Sequence, residues 1–246
     1  MRLQGKTAIV TGGASGFGAG IVRKFAAEGA KVLIADLNMA LAEEIAAEVD
    51  GIAVKVDVAS DESVKALADT AASSLGSIDI LVNNAGITHL PKPMQEVTED
   101  EFDRVMAVNC KSVYLTAKHF VPTMTATGKG AILNVASTAG LSPRPKLNWY
   151  NASKGWMITA TKTMAVELAP QGVRVNAICP VAGETPLLKS FMGEDTPEVR
   201  AKFLSTIPIG RFSTPEDMGN AACFLCSDEA SMVTGVAMEV DGGRCI

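Results

Sequence analysis

Short runs rich in valine and isoleucine recur along the chain, separated by stretches of helical period. The runs are TAIV (7–10), KVLIAD (31–36), IAVKVD (52–57), DILVNN (79–84), AILNVAS (131–137), RVNAICP (174–180) and AMEVDG (237–242). Continuous apolar runs of this length are the mark of strands covered on both faces. Between them, helical patterns occupy 18–29, 38–49, 61–75, 97–124, 148–172 and 214–228, several with a glycine just past or at the end, as at Gly29 and Gly172. Strand and helix alternate over the full length, which predicts an α/β fold with one doubly wound parallel sheet of about seven strands and helices on both faces. One segment, PVAGETPLLKSFMGEDTPEV (180–199), carries no clear period. It follows the sixth strand, where loops of such sheets form the ligand crevice, so it reads as a candidate lid.

No linker, charge block or internal repeat interrupts this order, so residues 1–246 read as a single domain with a substrate loop at about 181–199. Composition adds exclusions. A chain with 48% hydrophobic and 20% charged residues builds a sizeable core. Its net charge of −5, without a Lys/Arg cluster, carries no nucleic-acid footprint. There is no apolar run of membrane-spanning length and no signal-peptide pattern, so a cytoplasmic location is expected. The C-x-x-C at Cys223 and Cys226 lies in an apolar helical run, with no second such pair and only two histidines in the chain. Buried free thiols in a reducing compartment are the expectation, and no metal site.

Candidate chemistry begins at TAIVTGGASGFGAG. A strand ends at Thr11, then Gly12, Gly16 and Gly18 fall in a turn ahead of a helix. Such a turn lets the backbone approach a pyrophosphate, and the helix N-terminus offers it free N–H groups. The spacing is G-x-x-x-G-x-G, unlike the commoner G-x-G-x-x-G. Asp36 ends the second strand, where a carboxylate hydrogen-bonds a ribose 2′-hydroxyl and repels a 2′-phosphate. No Arg or Lys follows it in ADLN, and none lies in the glycine turn, so NAD is expected over NADP. Asp57, at the end of the third strand, is placed to reach the adenine edge. Tyr150 and Lys154 in NWYNASKG stand one helical turn apart on one face. Alone, that pair reads as a solvated helix surface rather than as proton chemistry.

In register, these pieces resemble the compact single-domain branch of the short-chain dehydrogenase/reductase family, a Rossmann-type fold. The resemblance covers nearly all of Gly5 to Gly243: TGGASGFG (11–18), Asp57, NNAG (83–86), Asn109, Ser137, Tyr150 with Lys154, then Pro180 and Thr185. It implies a catalytic set of Asn109, Ser137, Tyr150 and Lys154. Tyr150 is the proton donor or acceptor at the substrate oxygen, Ser137 a hydrogen-bond donor to it, and Lys154 a cation that lowers the phenol's pKa and holds the nicotinamide ribose. Asn109 is assigned a water that links Lys154 to solvent. A tyrosine's ordinary pKa of about 10 calls for a downward shift of roughly 2 to 3 units. For the cofactor, the resemblance implies contacts from Gly12, Ser15, Gly16, Phe17, Gly18, Asp36, Leu37, Asp57, Val58, Asn84, Ala85, Gly86, Tyr150, Lys154, Pro180, Gly183 and Thr185. Asn83 is expected to brace neighbouring strands. The family often has glycine directly after the proline; here Val181 stands there, which puts the local backbone and the contacts of Gly183 and Thr185 in question.

The implied reaction is hydride transfer between NAD(H) and a secondary alcohol or ketone, with a 3-oxoacyl-[acyl-carrier-protein] reductase as the alternative. A non-catalytic NAD(H)-binding redox sensor is a rival of another class, although it would need only the glycine turn. An epimerase or dehydratase of the extended branch would need a further substrate domain. The pocket is expected to involve STAGLSPRPKLNWY (137–150), His89 and the 181–195 loop, with Leu141 and Trp149 as an apolar wall; Arg144 and Lys146 read first as surface charges, and otherwise as cations facing an acidic or phosphate-bearing substrate. The long helices at 98–127 and 150–170 match the pair that the family packs across a dimer interface, so a homo-oligomer, dimer or tetramer, is expected.

Overall fold

The computed structural model describes residues 1–246. Seven parallel strands form one sheet in the order β3-β2-β1-β4-β5-β6-β7. They are β1 (Thr7–Thr11), β2 (Lys31–Asp36), β3 (Ile52–Lys55), β4 (Ile80–Asn83), β5 (Gly130–Val135), β6 (Val173–Pro180) and β7 (Ala237–Val240). All seven predicted strands are present, each within a few residues of its predicted ends. The helices are α1 (Gly16–Ala27), α2 (Met39–Val49), α3 (Asp61–Leu75), α4 (Glu99–Met106), α5 (Ser112–Thr127), α6 (Asn148–Leu168), α7 (Leu188–Met192), α8 (Pro197–Leu204) and α9 (Pro215–Cys226).

Strand side chains alternate between two apolar layers. Val10, Val32, Ile34, Ile80, Val82 and Leu133 face one side with Ile21, Phe25, Met218 and Ala222 of α1 and α9. Ile9, Leu33, Leu81 and Ile132 face the other, with Leu67, Phe120, Met124 and Leu168 of α3, α5 and α6. Both faces are therefore buried, which explains the unbroken hydrophobicity of the strands. Cys223 and Cys226 belong to the first layer, and all five cysteines are unpaired. Helix starts are fixed locally. The Asn38 side chain accepts from Leu41 N at α2, and Ser60 from Ser63 N at α3. Thr98 with Glu101, and Thr214 with Asp217, close reciprocal capping boxes on α4 and α9.

Two segments differ from the sequence reading. The helical run predicted over 97–124 is not one regular helix: Ala107–Lys111 forms a π-helical turn between α4 and α5. The stretch 180–199, expected to be irregular, contains α7 and the start of α8. Phe212, Val181, Leu188 and Ile207 make a small apolar cluster under it, so burial of side chains holds together a segment without a long helical period.

Candidate active site

Strand order reverses between β1 and β4, and a cavity of about 480 Å³ opens at the carboxyl ends of the strands there. Ligands of doubly wound sheets bind at such a reversal. All seventeen residues expected to contact a dinucleotide line this cavity, as do Ser137, Tyr150 and Lys154. Asn109 does not.

At one end lies the glycine turn. A β-carbon on Gly18 would stand 2.0 Å from Gly12 O and 2.5 Å from Asn84 Nδ2, so only glycine fits. Asn84 Nδ2 donates to the carbonyls of Thr11 (3.0 Å) and Gly12 (2.9 Å), and the N–H groups of Asn84 and Ala85 donate to Thr11 Oγ1. The turn is thus pinned from β4, and α1 begins directly after it with its N-terminal N–H groups towards the cavity. Asp36 accepts from Ala14 N (3.1 Å) and Asn38 N (2.9 Å), which holds its carboxylate beside the turn. A carboxylate offers about four acceptor positions, leaving capacity for a diol. Because Asn38 caps α2, Asp36 is free of that duty. Asp57 Oδ1 accepts from Ala59 N at 2.9 Å. A pocket wall shaped by glycine backbone, with an acid at the second strand's end, fits a pyridine dinucleotide.

The other signatures converge further along. Ser137 follows β5; its Oγ accepts from Ala139 N (3.0 Å) and donates to Pro180 O at 3.5 Å. Tyr150 and Lys154 face the cavity from α6 and are only 5% and 4% exposed. Lys154 Nζ donates to Val135 O at 2.8 Å and lies 5.9 Å from the centre of the Tyr150 ring. Asn109 sits in the π-helical turn, fully buried. Its Oδ1 accepts from Ile87 N, and its Nδ2 donates to Ile87 O and Ser153 Oγ. Its amide therefore fixes the segment following Gly86 and the back of α6, and π turns of this kind recur at functional sites. Asn109 Oδ1 and Lys154 Nζ flank Gly86, each 3.4 Å from where a β-carbon there would stand. As expected, Asn83 braces the interior: its Nδ2 donates to Asn134 Oδ1, and Thr116 Oγ1 donates to Asn83 Oδ1.

Among the protein's own groups, the expected depression of the tyrosine pKa is not present. Burial pushes the Tyr150 phenol up to about 12, with the Ser137 hydroxyl as the neighbour that favours ionisation. Burial also brings the Lys154 ammonium down to about 8. The physical reason is that both groups are dehydrated together. The Lys154 ammonium, 5.9 Å from the ring centre, does not offset the dehydration of the phenol.

The far end of the cavity departs from the sequence reading. Leu147, Leu187, Phe191, Phe203 and Val181 supply its apolar wall, with Ser142, Arg144 and Asn151 as polar groups. Leu141, Lys146, Trp149 and His89 do not line it. Trp149 turns its indole to Met94 O and packs edge-on against Phe102. Lys146 is exposed, and the His89 ring is bonded through Nδ1 to Leu90 O. Phe191 packs on Tyr150 with ring centres 5.1 Å apart. Its only sequence signal is membership of the 181–195 loop. Val181 takes no left-handed backbone: it is buried in the small apolar cluster, and its N–H reaches Val240 O. Gly183 still meets the glycine turn, since a β-carbon there would stand 2.3 Å from Phe17 Cζ.

Comparison with known proteins agrees with this geometry. A family model described as enoyl-(acyl carrier protein) reductase matches residues 12–244. Over the whole length of both proteins, the chain is 50% identical to the 4-formylbenzenesulfonate dehydrogenase of Comamonas testosteroni and 40% identical to the 3-oxoacyl-[acyl-carrier-protein] reductase of Thermotoga maritima. The crystal structure of 3-ketoacyl-(acyl-carrier-protein) reductase from Brucella melitensis, complexed with NADH, is 48% identical and superposes with a TM-score of 0.95. That match covers 99% of this chain and all of the other. The chain belongs to the short-chain dehydrogenase/reductase family. It is a pyridine-nucleotide-dependent oxidoreductase that interconverts an alcohol and a carbonyl compound.

Proposed function

We propose that this enzyme is an NAD(H)-dependent dehydrogenase of secondary alcohols and their ketones, with Tyr150 as general acid and base. The observation that carries the reading is convergence: Tyr150, Ser137 and Lys154 line the same cavity as the glycine turn and Asp36. The nicotinamide, when bound, supplies or accepts the hydride. The chain's own groups do the rest. Tyr150 exchanges a proton with the substrate oxygen, and the Ser137 hydroxyl donates to that oxygen as charge develops on it. Lys154 favours the ionised phenol and hydrogen-bonds the nicotinamide ribose. Asn109 is a positioning residue: through Ile87 and Ser153 it fixes the backbone on which Gly86 and Lys154 stand. A proton path from Lys154 through water at Asn109 accords with the approach of both groups to Gly86.

Asp36 favours NAD over NADP, because its carboxylate accepts from a 2′-hydroxyl and repels a 2′-phosphate, and no basic side chain stands beside it in ADLN. The glycine turn after β1 and Tyr150 of α6 line one cavity at the carboxyl ends of the strands of a single sheet, which supports reading 1–246 as one domain with 181–199 as its substrate loop. The exposed Tyr114 of α5 and Trp156 and Val166 of α6 support a homo-oligomer, dimer or tetramer, packed on those helices. Five free cysteines accord with a cytoplasmic location. A 3-oxoacyl-carrier-protein reductase is the second reading, favoured by the Brucella relative at 48% identity.

The test is a screen of secondary alcohols, sugar alcohols, hydroxy acids, 3-hydroxyacyl thioesters and 4-formylbenzenesulfonate with NAD and NADP in parallel, read by reduced-nicotinamide absorbance. A secondary alcohol oxidised faster with NAD than with NADP is the expected result. Turnover confined to 3-hydroxyacyl thioesters would favour the second reading, and faster turnover with NADP would contradict the assignment of Asp36.

A further inference from the structure

Arg144 on the cavity wall, and Arg244 bonded to the cavity residue Ser142, have no carboxylate partner. Most arginines here are satisfied within the chain: Arg2, Arg23, Arg200 and Arg211 form ion pairs. The half-buried Arg174 donates to the carbonyls of Leu225, Ser227 and Val233. Arg144 differs. It lines the cavity, its guanidinium lies 4.3 Å from the centre of the Phe203 ring, and its one side-chain hydrogen bond is from Nη2 to Thr206 Oγ1 at 2.7 Å. The other N–H donors of its five have no acceptor in the protein.

Arg244 reinforces the charge. Its Nη1 donates to Ser142 Oγ, another cavity residue, at 3.1 Å. Burial first, and the charge of Arg244 second, pull the Arg144 pKa down. Placing a dehydrated cation beside a second one is unfavourable without an anion to meet it. A planar fork held against an aromatic ring is also pre-organised for a two-oxygen acceptor. The aromatic pairs Phe203–Arg144 and Phe191–Tyr150 both stand on the cavity wall, so an apolar body fits between the charge and the reacting oxygen.

We propose that Arg144, supported by Arg244, anchors a permanent oxyanion, a sulfonate or carboxylate, carried by the substrate on an apolar body whose other end reacts at Tyr150. This rests on the dehydrogenase reading above and adds the substrate class to it.

The experiment compares 1-phenylethanol with 4-(1-hydroxyethyl)benzenesulfonate as substrates, and measures calorimetric binding of the unreactive 4-methylbenzenesulfonate and 4-methylbenzoate to the protein–NADH complex. The wild type is expected to favour the sulfonated alcohol in kcat/KM by about 10- to 100-fold, the range of a charge-assisted hydrogen bond. In Arg144→Gln that ratio falls towards one, mainly through KM, and anion binding is lost; Arg144→Lys restores part of both. Thermal unfolding and NADH affinity, measured on the same variants, show whether they fold. A wild type without preference for the charged alcohol, and with no affinity for either anion, overturns the anchor. So does an Arg144→Gln variant that loses NADH affinity as strongly as anion affinity, because the anion met would then be the cofactor's phosphate. If neither alcohol turns over while the anions bind and Arg144→Gln abolishes that binding, the anchor stands and the dehydrogenase reading fails.

Discussion

The two ends of the cavity are built in opposite ways. At the cofactor end, backbone does the work. Gly18 lies against Gly12, Asn84 holds the start of the turn through the Thr11 and Gly12 carbonyls, and Asp36 is tied to Ala14 and Asn38. Hydrogen bonds there run between residues fixed by strands β1, β2 and β4. At the substrate end, side chains do the work: Phe191, Phe203, Leu187 and Val181 come from a segment with two short helices and few strand contacts. A rigid end can hold a constant ligand, and a side-chain end can change its ligand without disturbing the sheet. Predictions that separate the two ends follow from this difference.

Lys154→Met strikes where the ends meet and lowers turnover by on the order of 10²- to 10³-fold. It is also expected to raise stability. The folded-state pKa of Lys154 is lowered to about 8 from an ordinary 10.5, so the unfolded chain binds more protons between those values. Below about pH 8 the buried ammonium destabilises the fold fully, by about 3 kcal/mol, and this penalty is relieved as pH rises towards 10.5. Denaturant titrations of both proteins at pH 7 and pH 10 check it: the variant's advantage should shrink at the higher pH. An advantage that grows with pH would contradict the buried-cation account.

At the cofactor end, Asp36→Ala should lower the preference for NAD over NADP by about 10- to 100-fold, the range of a hydrogen bond to a charged group. The ratio of kcat/KM for the two nucleotides measures it. At the substrate end, Phe191→Ala should raise the KM for alcohol by about tenfold through lost apolar burial, while the Kd for NADH moves by much less. Equal effects on both would dissolve the distinction between the ends. Asn109→Ala, which touches neither ligand, should destabilise the protein by about 1–3 kcal/mol, seen as a lower Tm, because Ile87 and Ser153 lose their buried partner.

What was legible in the sequence follows the same division. The strands were visible because burial on both faces forces continuous apolar runs, and the glycine turn because close backbone approach admits one residue type. Ser137, Tyr150 and Lys154 were legible through motif spacing, which the sheet and α6 preserve in space. The substrate wall was not, since Phe191 and Phe203 reach it through the packing of α7 and α8, and no local period marks that packing. Trp149 was misplaced for a related reason: beside Tyr150 on a helix, it faces outward to Met94 and Phe102. The π turn around Asn109 was hidden as well, because no residue type in AVNCK marks a widened helical turn. The tyrosine's pKa was read from its charged neighbour alone, and the dehydration that opposes that charge appears only once both groups are seen to be buried.

The central claim is that the Tyr150 hydroxyl exchanges the proton at a site whose cofactor contacts do not depend on it. Turnover of a secondary alcohol and fluorescence titration of NADH, made together on Tyr150→Phe, test it most directly. The account predicts a loss of kcat of about 10³-fold or more with the Kd for NADH within a few-fold of wild type. A variant that turns over at near the wild-type rate would contradict it.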